Sequence, residues 1–221
     1  MAEGEPRSDA LTTWLAAGGI VGPLLYVAAF SVAGWLRPGY VAIHEAVSDL
    51  GLGPNAWLVN GAGVLNWLLL TGWIVAFLRR TRTRLPAAWR WTSGALLELP
   101  PLGYAVASIY TEARATLFVH TYVGAVLGLL SPVVVFFVAG LALRRIERWR
   151  DWSTYSFIAS VATLGLAGLM LWVWAPSAPP LASRFEGLME RVVIVETLAW
   201  YVVGGAYLAR SDRRVRHTPA Q

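Results

Sequence analysis

Apolar positions in this chain come in six long runs, near 12–36, 56–78, 91–110, 119–143, 153–174 and 192–209. Each is of the order of the roughly 20 residues that cross a bilayer core. The pattern predicts an all-α polytopic membrane protein, six transmembrane helices in three hairpins. Between the first two runs the pattern changes. In "PGYVAIHEAVSDLGLGPN", residues 38–55, Ile43, Val47 and Leu50 recur at helical spacing, while Glu45, Ser48 and Asp49 share another face with His44 beside them. Pro38 and Gly39 precede this stretch, and Gly51, Gly53 and Pro54 end it. The spacing predicts a short amphipathic helix, at the interface or folded inward, with its apolar side on the bundle or on lipid.

The third run is interrupted by "LLELPPLGY". Each proline removes a backbone donor and crowds the preceding turn, so a kink is expected at Pro100 and Pro101. Glu98 lies several residues inside the run. A carboxylate there is costly and needs a polar cavity or a partner. One reading makes it an acid or base in a cavity. The other makes it a neutral group hydrogen-bonded to a neighbouring helix, for instance to Asn60 or Asn66. Close helix contacts are expected at the small residues of "GGIVGP", at Gly165 and Gly168, and at Gly204 and Gly205.

Composition agrees: 57% of the 221 residues are hydrophobic and 14% charged. There is no cysteine, which excludes disulfides and thiolate metal sites. The net charge of +5 comes from arginine alone, because the chain has no lysine. Arg79, Arg80, Arg82, Arg84 and Arg90 follow the second run. Arg144, Arg145, Arg148 and Arg150 follow the fourth, and Arg210, Arg213, Arg214 and Arg216 the sixth. With Arg7 they fall on one side of a six-helix topology, leaving Arg37, Arg114, Arg184 and Arg191 on the other. This asymmetry predicts a cell-membrane protein with both termini cytoplasmic. It argues against nucleic acid as a partner, since a nucleic-acid surface would not divide its arginines by membrane side. The chain divides into a tail over 1–11, a membrane domain over 12–209 and a basic tail over 210–221. The net acidic "MAEGEPRSDA" does not resemble a cleaved leader. Tryptophans at predicted outer ends (Trp35, Trp57, Trp172, Trp174) and inner ends (Trp14, Trp89, Trp91, Trp149, Trp152) read as interfacial belts. Trp67, Trp73 and Trp200 lie inside spans, where packing is the ordinary reading and an aromatic cage the alternative.

The remaining titratable groups gather on the outer side. Glu112 lies in the second outer connection and His120 opens the fourth span. Glu186, Glu190 and Arg191 are placed in the third outer connection, with Glu196 a turn inside the sixth span. An extracytoplasmic polar pocket at the membrane face is expected.

"GYVAIHEAVSDLGLGPNAWLVN" resembles the signature of a bacterial and archaeal membrane family, domain of unknown function 998. "GGIVGPLLY", "ERVVIVETLAWYV" and a histidine opening a later helix, here His120, also fit. Members often carry a proline- and acid-containing stretch before that histidine, where this chain has "SIYTEARATLFVH". The resemblance implies a six-helix membrane fold and no established activity.

Three functions remain open. The first is an enzyme acting on a lipid or isoprenoid by acid–base chemistry, with Asp49 and His120 as the main pair and His44 and Glu45 in support. Ser48, Glu98, Glu112, Glu196, Trp67 and Trp200 would then contact the substrate. A metal variant would use His44, His120 and carboxylates, but the spacing of the two histidines is a weak metal signal, so no metal or other cofactor is expected. Another variant is acid-initiated polyene cyclisation beside buried aromatics. The second function is binding or transport of a small apolar or cationic compound. The third is a non-catalytic assembly subunit, with Ser48 and Asp49 as caps. A membrane lipid or small apolar ligand is the expected partner.

Overall fold

The computed structural model describes residues 10–175 and 177–213. Arg7, Ser8, Arg214, Arg216 and His217 lie outside the described residues, as do the side chains of Ser211 and Arg213. The elements are α1 (Ala10–Leu36), α2 (Ala56–Arg80), α3 (Ala87–Leu97), α4 (Leu99–Ile109), α5 (Val119–Leu143), α6 (Arg150–Val173), the four-residue α7 (Pro180–Ser183) and α8 (Glu186–Arg213). Among the described residues there is no strand. Five helices, α1, α2, α5, α6 and α8, are long and apolar enough to cross a membrane. The chain is an all-α polytopic membrane protein.

The expected third crossing is divided into α3 and α4 at Glu98. The cause is local. Pro100 and Pro101 have no N–H, so the carbonyls of Leu96 and Leu97 lose their helical donors. The Tyr201 hydroxyl of α8 donates to the Leu97 carbonyl at 2.7 Å and restores one of them. Inside a membrane such a carbonyl has no water to turn to.

The crossings close into a ring. α1 packs on α2, α2 on α4, α4 on α5, α5 on α6, α6 on α8, and α8 returns to α1. Small residues set the closest approaches. A Cβ on Gly63 of α2 would overlap the Ser108 hydroxyl of α4, and one on Gly103 of α4 would strike the backbone of Gly128 in α5. Gly18 and Gly22 likewise meet α2, and Gly204 and Gly205 meet Trp152, Trp73 and α1. Gly165 and Gly168 do not act as expected. A Cβ on either would meet nothing within 4 Å, so they face outward.

Arginine-rich connections 81–86 and 144–149 occupy one end of the ring, and connections 37–55, 110–118 and 174–185 the other. An aromatic core fills the half nearer the arginines. Trp73, Trp152, Trp200, Tyr201, Phe77 and Phe136 are fully buried and meet edge-on or stacked, with centroids 4.7–6.4 Å apart. Trp149, 1% exposed, joins them through Trp152. Trp149 and Trp152 are therefore core residues rather than belt residues, because the 144–149 turn tucks them under the bundle. Trp14, Trp35, Trp57, Trp91 and Trp172 are exposed, as interfacial residues are.

Candidate functional site

The site begins with the connection that carries the quoted polar pattern. The predicted amphipathic helix is shortened to one 3-10 turn, Ser48–Gly51. Tight turns on either side, with Gly39 at φ 78° and Gly53 at φ 79°, leave too few residues for more. Val47 and Leu50 are 1% and 2% exposed and plug the ring, whereas Ile43 lies outside the plug and is exposed.

Polar contacts then fasten this strap to α8. Arg191 Nη1 donates to the carbonyls of Ala42 (2.6 Å), Glu45 (2.8 Å) and Gly187 (2.8 Å), and Nη2 donates to the Tyr40 hydroxyl. A planar fork of five donors suits such a convergent set of acceptors. Tyr40 in turn donates to the Ala46 carbonyl at 2.7 Å. The Val47 N–H donates to Glu190 Oε2 at 2.5 Å. Gly187 permits the contact, since a Cβ there would collide with the carbonyls of Glu45 and Ala42. His44 Nδ1 lies 2.5 Å from the Arg184 carbonyl, which can only accept, so the ring donates. Glu45 Oε2 accepts from its own strap at the Val41 N–H, 2.6 Å, and Asp49 Oδ2 accepts from the Ala46 N–H, 2.9 Å.

Beneath the strap lies a cavity of about 280 Å³. Its polar mouth is lined by Ser48, Asn60, Ser108, Glu112, His120, Glu186 and Glu190. Its depth is lined by Tyr26, Gly103, Tyr104, Gly124, Gly128, Leu129 and Ile194. The first half of α5, Val119–Leu130, is wound as a π-helix, a form that recurs at functional sites. It brings His120, Gly124 and Gly128 to the cavity wall, with the two glycines against α4.

His120 is 8% exposed. Its Nδ1 lies 2.9 Å from the Tyr110 carbonyl and 3.1 Å from the Ala107 carbonyl, at the C-terminal end of α4. Helix ends leave such carbonyls without partners. Both can only accept, so Nδ1 carries a proton, and Nε2 faces Glu112 Oε1 at 3.4 Å, donating to it in the imidazolium form. The hydrogen bond from His120, with Ser48 adding to it, holds the Glu112 carboxyl below its ordinary range against the opposing effect of burial. Burial raises Asp49 instead, with the charges of Glu112 and Glu45 adding to it.

The structure thus brings Ser48, Glu112 and His120 into one cavity and leaves Asp49 beside it. The partner of His120 is Glu112, not Asp49, because Asp49 turns back to cap the Ala46 N–H. His44 and Glu45 point into the strap's own hydrogen bonds and do not line the cavity. Glu98 Oε1 accepts from Trp67 Nε1 and Thr71 Oγ1, each at 2.7 Å, rather than from Asn60 or Asn66. Asn60 instead donates to the Gly51 carbonyl at 3.0 Å. Glu196 Oε2 accepts from Thr163 Oγ1 at 2.7 Å, and Trp200 Nε1 donates to Ser156 Oγ at 2.9 Å within the aromatic core. The Glu98, Glu196 and Trp200 pairs stand outside the cavity. Among the described residues no three histidines or carboxylates converge as metal ligands.

Glu186 and Glu190 open α8 rather than lying in a connection, and they line the cavity with Tyr26, Tyr104 and Ser108. The sequence held a signal for part of this. Glu186, Glu190 and Ile194 recur every fourth residue, as do His120, Gly124 and Gly128, and each set marks one helix face.

Residues 20–207 match the family model described as "Protein of unknown function (DUF998)", and the chain belongs to that family. No curated protein matches the chain. No solved structure matches it.

Proposed function

We propose that this DUF998 chain is a membrane enzyme that performs acid–base chemistry on a lipid or isoprenoid held in the cavity, with His120 and Glu112 as the working pair. The observation that carries the proposal is the fixed orientation of His120. Two carbonyls hold its Nδ1–H, so Nε2 is the atom that takes or returns a proton at the polar end of the substrate. Glu112 balances the charge of the imidazolium whenever Nε2 carries that proton. Ser48 and Glu190 are polar contacts at the mouth, and the apolar part of the substrate lies along Gly103, Gly124, Gly128 and Leu129. At about 280 Å³ the cavity stands just under the lower end of the roughly 300–1,000 Å³ range of small-molecule sites, apolar in depth with few polar groups.

The arginine asymmetry supports a cell-membrane location with both termini cytoplasmic and the cavity opening at the extracytoplasmic face. In this reading Asp49, His44 and Glu45 shape and fasten the strap, and Glu98, Trp67, Glu196 and Trp200 hold helices together.

The test compares lipid extracts by mass spectrometry. A deletion strain is examined alone, with the wild-type gene, and with His120→Gln at matched protein level. The expected result is a lipid or isoprenoid species that shifts on deletion, returns with wild type and does not return with His120→Gln. Restoration by His120→Gln, or no shifted species at all, contradicts the enzymatic reading. Retention of a bound lipid without any change in lipid composition favours a binding or transport role instead.

A further inference from the structure

We infer that the amphiphile held in this cavity carries a positively charged headgroup, a class assignment that rests on the cavity being an amphiphile site. The lining of the mouth is asymmetric in charge. Glu112, Glu186 and Glu190 line it, against the single imidazole of His120. Asp49 stands just behind them, and both it and Glu112 act electrostatically on Glu186.

None of the arginines at this end of the bundle, Arg37, Arg114, Arg184 and Arg191, is among the lining residues. Arg37 Nη1 is directed to the carbonyls of Asp49 (2.5 Å) and Leu52 (3.4 Å), and Arg191 to the carbonyls of Ala42, Glu45 and Gly187 and to Tyr40. The hydrogen bonds of Arg37 and Arg191 thus go to the strap and to α8. An anionic headgroup would meet three carboxylates at short range in a site partly shielded from water, where like charges repel more strongly than in bulk. A cationic one would supply the counter-charge that favours the ionised form of carboxylates crowded together.

The remaining lining supports an occupant with an apolar tail. Below the carboxylates the wall is made of Gly103, Gly124, Gly128 and Leu129, bounded by the tyrosines of α1 and α4. Tyr104 is 3% exposed, and its hydroxyl, with the Thr197 hydroxyl close to it, makes no well-formed hydrogen bond within the protein. A buried hydroxyl left so is costly unless another group completes it. The site therefore fits an alkyl or prenyl chain ending in an amine or quaternary ammonium.

The experiment uses the full chain in nanodiscs of uncharged lipid and three probes of equal chain length: hexadecyltrimethylammonium, hexadecanol and hexadecyl sulfate. Saturable binding is measured above that of empty nanodiscs. The expected result is one saturable site per chain for the ammonium, at least tenfold tighter than for the alcohol, with none for the sulfate. Glu186→Gln should weaken the ammonium at least threefold and leave the alcohol unchanged. The preference among probes is read on the wild-type protein, so it stands even where the variant fails to accumulate. Equal binding of ammonium and alcohol, or tighter binding of the sulfate, overturns the charge assignment and leaves the amphiphile cavity in place. Absence of saturable binding by all three overturns both.

Discussion

His120 and Glu112 meet across 3.4 Å, joining the first turn of α5 to the connection that precedes it. The other face of the same imidazole caps the end of α4. One side chain thus ends a helix, fixes its own tautomer and presents one nitrogen to a carboxylate in the cavity. A structural role and a chemical role coincide here, so variants are needed that separate them.

His120→Gln and Glu112→Gln should do so. Glu112→Gln keeps the shape of the side chain and loses the charge, leaving the cap on α4 untouched. It should abolish complementation of a deletion strain while the protein accumulates normally. His120→Gln also weakens the cap, costing about 1–2 kcal/mol as buried acceptors lose a donor. Full complementation by Glu112→Gln would remove Glu112 from the chemistry.

Thermal melting against pH should separate Glu112 from Asp49 by sign. The Glu112 carboxyl is lowered in the folded protein, chiefly by the hydrogen bond from His120. Its contribution to stability is therefore full above its unfolded value and lost as pH falls through its folded value. Asp49 is raised, chiefly by burial. Its ionisation destabilises the fold, and that cost grows as pH rises from its unfolded through its folded value. Near neutral pH Glu112→Gln should lower the melting temperature. Asp49→Asn should leave it unchanged or raise it, since the amide oxygen still accepts from Ala46. The reverse order of the two variants would contradict the assignment.

The membrane helices were legible because a bilayer demands long apolar runs, and five of the six runs appear as continuous helices. The division of the third was legible in Pro100 and Pro101. Partner choice was not. Glu98 pairs with residues 31 and 27 positions away, and His120 caps carbonyls 10 and 13 positions before it. Such pairs depend on how helices rotate and slide against one another, which apolar periodicity leaves open. The contacts of the strap were hidden for a related reason. His44, Glu45 and Asp49 have the composition of a reactive cluster, yet each finds its acceptor or donor on backbone nearby or in the connection before α8. Polar residues in tight turns do this routinely.

Tyr201 and Pro101 should be energetically coupled. Tyr201→Phe removes the donor to the Leu97 carbonyl and should cost about 1 kcal/mol in detergent melts. Pro101→Ala supplies a backbone N–H for the same carbonyl. In the double variant the cost of Tyr201→Phe should shrink or vanish, as expected for groups that share a partner. Strict additivity would show that the hydroxyl does not replace the missing helical bond.

Glu98→Gln should be tolerated, because the amide oxygen still accepts from Trp67 and Thr71. Glu98→Leu leaves Trp67 Nε1 unpaired, while Thr71 Oγ1 keeps the Trp67 carbonyl as acceptor, and should cost about 1 kcal/mol, within the range for interhelical polar contacts in membranes. Equal melting temperatures for the two variants would show that Glu98 matters only by its volume.

Arg191→Lys should loosen the strap, since an ammonium cannot serve three carbonyls and a hydroxyl in one plane. Faster amide hydrogen exchange is expected over residues 40–47, including the Val47 N–H held by Glu190, with the exchange of α2 unchanged. Unaltered exchange at Val47 would mean that the strap is held by its buried apolar residues alone.

The central claim is that a lipid-like substrate occupies the cavity with its polar end at His120. Cryo-electron microscopy of the full chain, extracted with its native lipid, tests this most directly. The account predicts one elongated density along Gly103, Gly124 and Gly128, its polar end within hydrogen-bonding reach of His120 Nε2 or Glu112. A cavity closed by side chains, or a lipid seated there with its polar end turned away from His120, would contradict it.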